Sequence, residues 1–526
     1  MSRDVIAGGR AVLGIELGST RIKACLVDGG GAVLATGSHQ WESSLVEGVW
    51  SYSLDEVWAG LQDCYASLVS ETERRYGVRP SSYRAIGVSA MMHGYLAFGP
   101  DDELLVPFRT WRNTSTAAAS ALLTQTLGQN IPMRWSVAHL FQAVLDDEPH
   151  VAHLARLTTL AGYVHERLTG RRVLGVGDAS GMFPVDPVTC TYDAGMLAVT
   201  DRLLAAHGDL PPLADLLPEV LPAGRQAGTL TAEGARLLDP GGTLRPGAPL
   251  CPPEGDAGTG MVATNAVNPR TANVSVGTSI FAMVVLDDLL TGADAAIDLV
   301  TTPAGLPVAM VHCNNGAHEI GVWTGLFTDF AAALGLDVDA DRTYAALLRA
   351  ALDGEPDAGG VLSYNYLAGE PVTGLAAGRP LVVRTPDARF TLANVMRSQV
   401  YASFATLALG MRLLRSRGVK VAVMHAHGGL FRTEGVAQRL LAASIDTPVS
   451  VARTSGEGGA WGIALLAGYL SHAAAADLGT YLDEQVFAAS AGSVVAPDPS
   501  DVAGFGAFLT RFEAGLEVER AAVRAL

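Results

Sequence analysis

The sequence predicts a duplicated α/β protein: two related halves, each a sheet covered by helices, with a cleft between them. Three observations lead there. The chain has 526 residues, and a single hydrophobic core stops growing near roughly 250–300 residues. Apolar residues make up 49% of it and charged residues 17%, a folded rather than a disordered composition. One pattern, strand–Gly–hydroxyl–hydroxyl–strand, occurs at Gly18-Ser19-Thr20 and again at Gly277-Thr278-Ser279, and each copy opens a half-chain of comparable size.

The elements follow in order. Residues 11–17 are an apolar strand, residues 18–20 a tight turn, residues 21–27 a second strand and residues 32–39 a third, after the Asp28-Gly29-Gly30-Gly31 turn. Ser53 with Glu56 three residues on is a capping box, so residues 53–76 are read as a helix. Residues 85–90 are a short strand, Pro100-Asp101-Asp102 turns a hairpin, and residues 137–168 are mostly helical. Residues 223–252, rich in Gly and Pro, are read as loop and short strands. The second half repeats the scheme. Residues 255–260 open an Ala/Val-rich helix from Met261, residues 271–276 and 280–286 are strands around the second turn, and Asn265 to Arg270 with Pro269 mark the crossover. Residues 420–426 are a strand ending at Gly428-Gly429, followed by a helix over 432–444, a strand over 448–451 and a helix over 458–470. Segments 1–265 and 266–490 are the two halves, and 491–526 is read as a tail ending in a helix.

Composition excludes several functions. A net charge of −17 argues against nucleic acid or an anionic membrane as partner, because both require a basic face. It leaves phosphate ligands open, since backbone N–H groups and a metal ion can hold them. Five dispersed cysteines without a CxxC pair read as reduced thiols, and no signal-like stretch opens the chain, so a cytoplasmic setting is expected. The apolar stretch 460–476 is broken by Gly462, Gly468, Ser471 and His472 and reads as a buried helix. Lys23 and Lys420 are the only lysines, so a lysine inside a motif carries more weight than usual.

Several side chains could do chemistry. In each Gly–hydroxyl turn, the glycine permits positive φ, and N–H and O–H donors converge as a phosphate oxygen requires; either turn could also be an ordinary hairpin. Glu16, at the end of an apolar strand two residues before Gly18, could hold Mg²⁺ directly or through water, or could face solvent. Lys23 could reach back to a phosphate or stand exposed. Asp256, glycine-flanked before a helix, would stay ionised and could accept a proton from a hydroxyl, or simply cap the helix. Gly428-Gly429, between strand and helix, fits close approach to an adenosine face. The sequence holds no GxxxxGK[ST] loop, no dinucleotide fingerprint, no zinc spacing and no G-x-S-x-G elbow.

Taken together, these segments resemble the FGGY carbohydrate kinases, over roughly residues 11–475. Residues 14–23 match the family's first phosphate motif, with Lys23 as its basic residue. Met92-His93-Gly94 is similar to a sugar-side motif of its pentulose kinases, and Trp111-Arg112-Asn113 to its tryptophan followed by polar sugar contacts. Asp178-Ala179-Ser180 resembles its D-x-S-N-A-S stretch. Gly255-Asp256 falls at the catalytic base, Gly277-Thr278-Ser279 at the second phosphate turn, and Tyr366-Leu367-Ala368-Gly369-Glu370 at its Y-L-x-G-E segment. His427-Gly428-Gly429 falls at the adenosine motif and Glu457-Gly458-Gly459-Ala460 at the helix after it. The sequence departs from the family at Glu16, where Asp is usual, at Pro371, where Arg is usual, and at Leu430-Phe431-Arg432, where small and polar residues are usual.

The resemblance implies two ribonuclease-H-like domains, of the actin and hexokinase type, around a central cleft. It implies a sugar and the base Asp256 in the first half and ATP on the second, with phosphates at both turns and Mg²⁺ at Glu16. The activity implied is transfer of the ATP γ-phosphate to a small sugar, with a pentulose such as xylulose or ribulose first, suggested by Met92-His93-Gly94. Hexulose or polyol acceptors, a catalytically weak sugar-binding protein and a non-sugar ATPase are the alternatives. A homodimer is an assembly the sequence permits.

Overall fold

The computed structural model describes residues 2–208, 210–451, 458–488 and 492–526. Strands β1 (Val12–Leu17), β2 (Arg21–Val27) and β3 (Val33–Gln40) form an antiparallel meander. β4 (Ala85–Ala90) pairs parallel to β1, and short strands at Gly228–Thr229, Pro249–Leu250 and Glu254–Gly255 complete a seven-stranded mixed sheet. The parallel pair requires a crossover, which helix α1 (Leu54–Tyr76) supplies. Its capping box is formed by Ser53 and Glu56, and Gly77 closes it in the left-handed conformation.

The second sheet repeats this arrangement. β5 (Thr271–Val276) and β6 (Ile280–Val285) are the antiparallel pair around the second turn. β7 (Asp298–Thr301) and β8 (Pro307–Cys313) extend it on one side, and β9 (Val423–Gly428) pairs parallel to β5 on the other. β10 (Val449–Val451) and β11 (Ser493–Val495) finish the sheet. Every residue of β1 and β4 except Glu16 is buried, as expected of strands covered on both faces.

Four expectations are refined or corrected. Residues 137–168 are mostly helical, as expected, but in separate pieces: helices Ser136–Leu145 and Leu160–Thr169 flank a strand, Arg156–Thr158, because Pro149 opens a separate 3₁₀ turn and Thr159 caps a new helix start. Asp256 does not precede its helix; α2 (Asp256–Ala263) begins at it, with Gly255 as cap residue. Residues 491–526 are not a detached tail: β11 joins the second sheet, and α4 (Pro499–Ala525) buries Phe505, Phe508 and Phe512 in the second core. Asp501 at its start takes Arg397 Nη2 at 2.5 Å and Arg439 Nε at 2.7 Å.

The fourth concerns α3 (Gly458–Tyr469). It comes from the second half of the chain, yet its Ala460, Trp461, Ile463 and Ala464 lie in the core of the first unit. A Cβ on Gly14 of β1 would come within 2.1 Å of Ala460 O, and one on Gly462 within 2.1 Å of Thr259 O in α2. The two helices therefore cross each other, and α3 meets β1, at backbone contact. Each half contributes one of these helices to the seam, so the halves are locked through their backbones.

Candidate active site

The first turn is anchored by its carbonyls. Trp41 Nε1 donates to Gly18 O at 2.7 Å and the Tyr52 hydroxyl to Ser19 O at 2.5 Å, with the two rings 4.3 Å apart. Trp41 N–H donates to Thr20 O at 3.3 Å and Gly18 N–H to Arg21 O at 3.0 Å. The N–H groups of Ser19 and Thr20 have no acceptor among the described residues. Trp111, exposed, donates its Nε1 to Ser19 Oγ at 3.2 Å. The second turn follows the same rule. Gly277 N–H donates to Ser279 O at 3.0 Å, Gly316 N–H to Thr278 O at 2.7 Å and Ala317 N–H to Gly277 O at 2.8 Å. Again the N–H groups of Thr278 and Ser279 have no acceptor among the described residues. Neither Gly18 nor Gly277 has positive φ, so the expected reason for glycine is corrected. At the second turn the demand falls on Gly316, where a Cβ would stand 2.4 Å from Gly277 O, a position the sequence reading missed.

Glu16 is the penultimate residue of β1, opposite Lys23 on β2 and Ser89 on β4. Its Oε2 accepts Ala460 N–H at 3.3 Å, and a Cβ on Gly459 would stand 2.4 Å from Oε1, so the start of α3 abuts the carboxyl. Burial pushes this carboxyl up to about 7; the Asp256 carboxylate adds to the rise, while Lys23 and the Ala460 and Gly459 N–H groups oppose it. Glu457, the first residue of the matching motif, lies outside the described residues. Two acidic side chains and one ammonium thus share the space beside the first turn.

Asp256 accepts Met92 N–H on Oδ1 at 3.0 Å, which ties the acid directly to the Met92-His93-Gly94 segment. Burial raises its pKa, opposed by the Met92, Ala257 and own N–H groups. Its helix is pinned by Thr259, whose hydroxyl meets Ser89 Oγ at 3.2 Å. His93 is buried at φ 72°, with Nδ1 3.2 Å from Gly181 O. An N–H facing a carbonyl assigns the proton to Nδ1 and leaves Nε2 as acceptor. Burial holds this ring well below the usual imidazole range, aided by Arg134 and His312, so it is neutral. Trp135 stacks on it, centroids 6.4 Å apart.

Arg112 and Asn113 are placed elsewhere. Asn113 Nδ2 donates to Trp50 O and its Oδ1 accepts Trp50 N–H, both at 2.9 Å, so its amide is spent on the hairpin Ser44–Val46/Val49–Ser51. Arg112 lies 3.8 Å over the Trp50 ring and donates to Ser43 Oγ at 2.8 Å. Both brace the hairpin that carries Tyr52 to the first turn.

In the second unit, Gly428 ends β9 at φ 119°, and a Cβ there would meet Val276 O at 2.1 Å; only glycine fits. Space at Gly429 is open. Leu430 and Phe431 are buried in the second core, which accounts for apolar residues after the glycine pair. Pro371 begins a 3₁₀ turn, where a missing N–H costs nothing. Glu370 before it is buried, accepts Asn315 Nδ2 at 3.1 Å, and is pushed up to about 7 by burial.

Sequence reading missed Glu254, which is buried two residues before Asp256. Its carboxyl accepts Asp178 N–H at 2.9 Å and Gly177 N–H at 3.3 Å, and burial raises its pKa far above the ordinary range. Asp178 accepts Thr159 Oγ1 at 2.6 Å, while its Oδ1 is buried with no partner among the described residues. Burial pushes it up to about 7, with Asp256 adding to the rise. An acid directly before the Gly-Asp pair was the available signal.

The donor set suits Mg²⁺. Glu16 and Asp256 offer hard oxygens only, and a dication between them would relieve the repulsion that helps raise Glu16. Among the described residues no trio of His, Cys, Asp or Glu could hold a metal; one carboxylate plus substrate phosphates and water is the usual Mg²⁺ arrangement. Among the same residues, no helix is long and apolar enough to cross a membrane.

Comparison with known proteins agrees with this geometry. The chain is 24% identical to the xylulose kinase of Escherichia coli over 299 residues, 54% of this chain and 56% of that protein. It therefore spans little more than half of that relative's length. Among solved structures, ligand-bound xylulose kinase from Lactobacillus acidophilus matches with a TM-score of 0.78 and 18% identity, covering 98% of both chains. Gluconate kinase from the same organism matches with the same values. Such likeness establishes the two-domain actin- and hexokinase-type fold and does not discriminate the substrate. The model of the N-terminal domain of the FGGY family of carbohydrate kinases matches residues 11–241, and that of the C-terminal domain matches residues 272–471. With both models matched in order over most of its length, the chain belongs to the FGGY family of carbohydrate kinases.

Proposed function

We propose that the protein transfers the γ-phosphate of ATP to a hydroxyl of a small neutral sugar, with a pentulose such as xylulose or ribulose as first acceptor. The observation that carries this is the 3.0 Å bond from Met92 N–H to Asp256: it fixes a half-buried carboxylate against the segment that would hold the sugar. Asp256 accepts the proton of the attacking hydroxyl, and its raised pKa makes it a better base than an ordinary surface carboxylate. The N–H groups of Ser19, Thr20, Thr278 and Ser279 hold phosphate oxygens, with Lys23 adding charge beside the first turn. Gly428 and Gly429 let the adenosine approach the second sheet closely. Met92, His93, Gly94 and Trp111 line the acceptor side, with Arg112 and Asn113 supporting them through the hairpin.

Glu16 would hold Mg²⁺ through water, since a shifting water would absorb the extra methylene that Glu has over Asp, and the ion would supply neutralisation of the charge on the phosphates. The Asp256 charge is felt by both Glu16 and Asp178, and the Asp256 carboxylate accepts an N–H of the sugar segment. The sugar segment belongs to the first unit and the second phosphate turn to the other, so transfer takes place where they meet. A coupled ADP-release assay over ketoses, polyols and aldonates tests the reading. A pentulose is expected to give the highest kcat/KM, and sugar-independent ATP hydrolysis with no product would reject it.

A further inference from the structure

The second sheet has two faces that belong to different cores. Ile280, Ala282 and Val284 of β6, with Ala309, Val311 and Cys313 of β8, lie in the second unit's own core. The alternating residues Met283, Val285, Val300, Val308 and Met310 lie in the core of the first unit, and Phe281 packs against it. The register sets Phe281 beside His312, Met283 beside Met310, and Asp298 beside Met310. Side chains directly opposite on an antiparallel pair share a face. So Asp298 and His312 are polar side chains on a face otherwise given over to apolar contact with the first unit.

Asp298 is accounted for. It is ion-paired with Arg134 and accepts Asn130 Nδ2 at 2.7 Å, so both partners come from the first unit. His312 is not: its ring makes no hydrogen bond among the described residues. Burial and the Arg134 guanidinium push it down to about 3, so it is neutral, and His312 in turn lowers His93. The two imidazoles, one from each unit, therefore face the same region. The His312 ring is half-buried and its nitrogens are not sealed from solvent, so a donor and an acceptor remain open to a ligand.

We propose that His312 is a sugar-binding residue contributed by the second unit, hydrogen-bonding an acceptor hydroxyl on the side of the site opposite His93. The inference rests on the proposed sugar-kinase reading and names a specificity determinant for it. Both rings are neutral, and Arg134 is already matched by Asp298. The subsite thus offers hydrogen bonds but no unpaired positive charge, and a carboxylate there would be desolvated without compensation. It selects an uncharged ketose or polyol over a sugar acid. Because His93 and His312 sit on different units, one acceptor molecule links the two.

Equilibrium titration of the full-length protein with xylulose, by calorimetry and without nucleotide, tests this independently of turnover. His312→Ala is expected to weaken xylulose binding about three- to tenfold, the effect of one lost neutral hydrogen bond. His312→Gln, which keeps a donor and an acceptor, is expected to recover part of it. Affinity for a non-hydrolysable ATP analogue and the thermal unfolding midpoint stay unchanged in both, which a merely structural histidine would not allow. Gluconate is expected to bind wild type more weakly than xylulose. Unchanged xylulose affinity in His312→Ala, equal loss of nucleotide affinity, gluconate binding as tightly as xylulose, or no xylulose binding to wild type overturns the proposal. The kinase reading fails on a separate observation, the absence of sugar-dependent ADP release by wild type.

Discussion

At the scale of single residues, the account turns on two acids made unlike by their surroundings. Asp256 sits at the first position of α2 and accepts Met92 N–H. Burial outweighs those N–H groups and raises its pKa. A base must be ionised to work, so activity falls as pH drops through this raised value. The acidic limb of the kcat/KM profile is therefore expected above the ordinary aspartate value; a limb at or below that value would contradict the assignment. Glu16 is expected to act on the metal and not on the proton. Glu16→Gln should raise the Mg²⁺ concentration needed for half-maximal rate and lower kcat, and Glu16→Asp should be milder. Metal titration of both variants checks this, and a Gln variant with unchanged Mg²⁺ demand would remove Glu16 from the metal. The acid and the residues around the turns were visible in the sequence because they are short-range patterns. Glu254 and His312 were not, because their meaning comes from burial against distant segments. The positions of Arg112 and Asn113 follow from where the hairpin after β3 folds back, which no local pattern records.

At the scale of elements, the two Gly–hydroxyl turns are alike in what they leave free. Carbonyls are tied to Trp41 and Tyr52 in one, and to Gly316 and Ala317 in the other. Thr20→Val and Thr278→Val are expected to weaken ATP binding, each by roughly threefold to tenfold for a lost hydroxyl bond, without lowering the unfolding midpoint. Calorimetry showing full ATP affinity in both would make the turns simple hairpins. Gly428→Ala is expected to be different in kind. Its φ of 119° and the 2.1 Å approach to Val276 O leave no place for a methyl group, so stability should fall by about 1–3 kcal/mol, seen in urea unfolding. Strands β1, β2, β4 and β5 were legible to within a residue, because apolar runs end at glycine turns. The run over 137–168 was not, since Pro149 and Thr159 break a pattern whose apolar spacing continues through them. The helix after Gly428 starts late, at Val436, because Gly435 interrupts it with a left-handed residue.

At the scale of the whole molecule, the halves are joined by exchange. Helix α3 from the second half lies on the first sheet, and Met283 and Met310 of the second sheet enter the first core. Arg134 and Asn130 reach Asp298, while Thr301 N–H donates to Ser180 Oγ at 3.0 Å. Arg134→Ala leaves the buried Asp298 with only Asn130, and is expected to cost about 1–3 kcal/mol, read as a lower midpoint in chemical denaturation; Arg134→Ala combined with Asp298→Asn should recover part of the loss. The duplication was legible from two short turns, but the exchange of helices was not, since it depends on which sheet offers a glycine floor such as Gly14. In the proposed mechanism, the same joining would bring the base Asp256 of one half to the phosphate turn of the other. The central claim is that Asp256 activates a sugar hydroxyl for attack on ATP. The most direct measurement is single-turnover ADP formation with xylulose, ATP and Mg²⁺, by wild type and Asp256→Asn at equal, calorimetrically verified sugar and nucleotide occupancy. Sugar-dependent ADP formation that falls roughly 10²–10⁴-fold in the variant is the predicted result; an Asn variant that forms ADP at the wild-type rate would contradict the account.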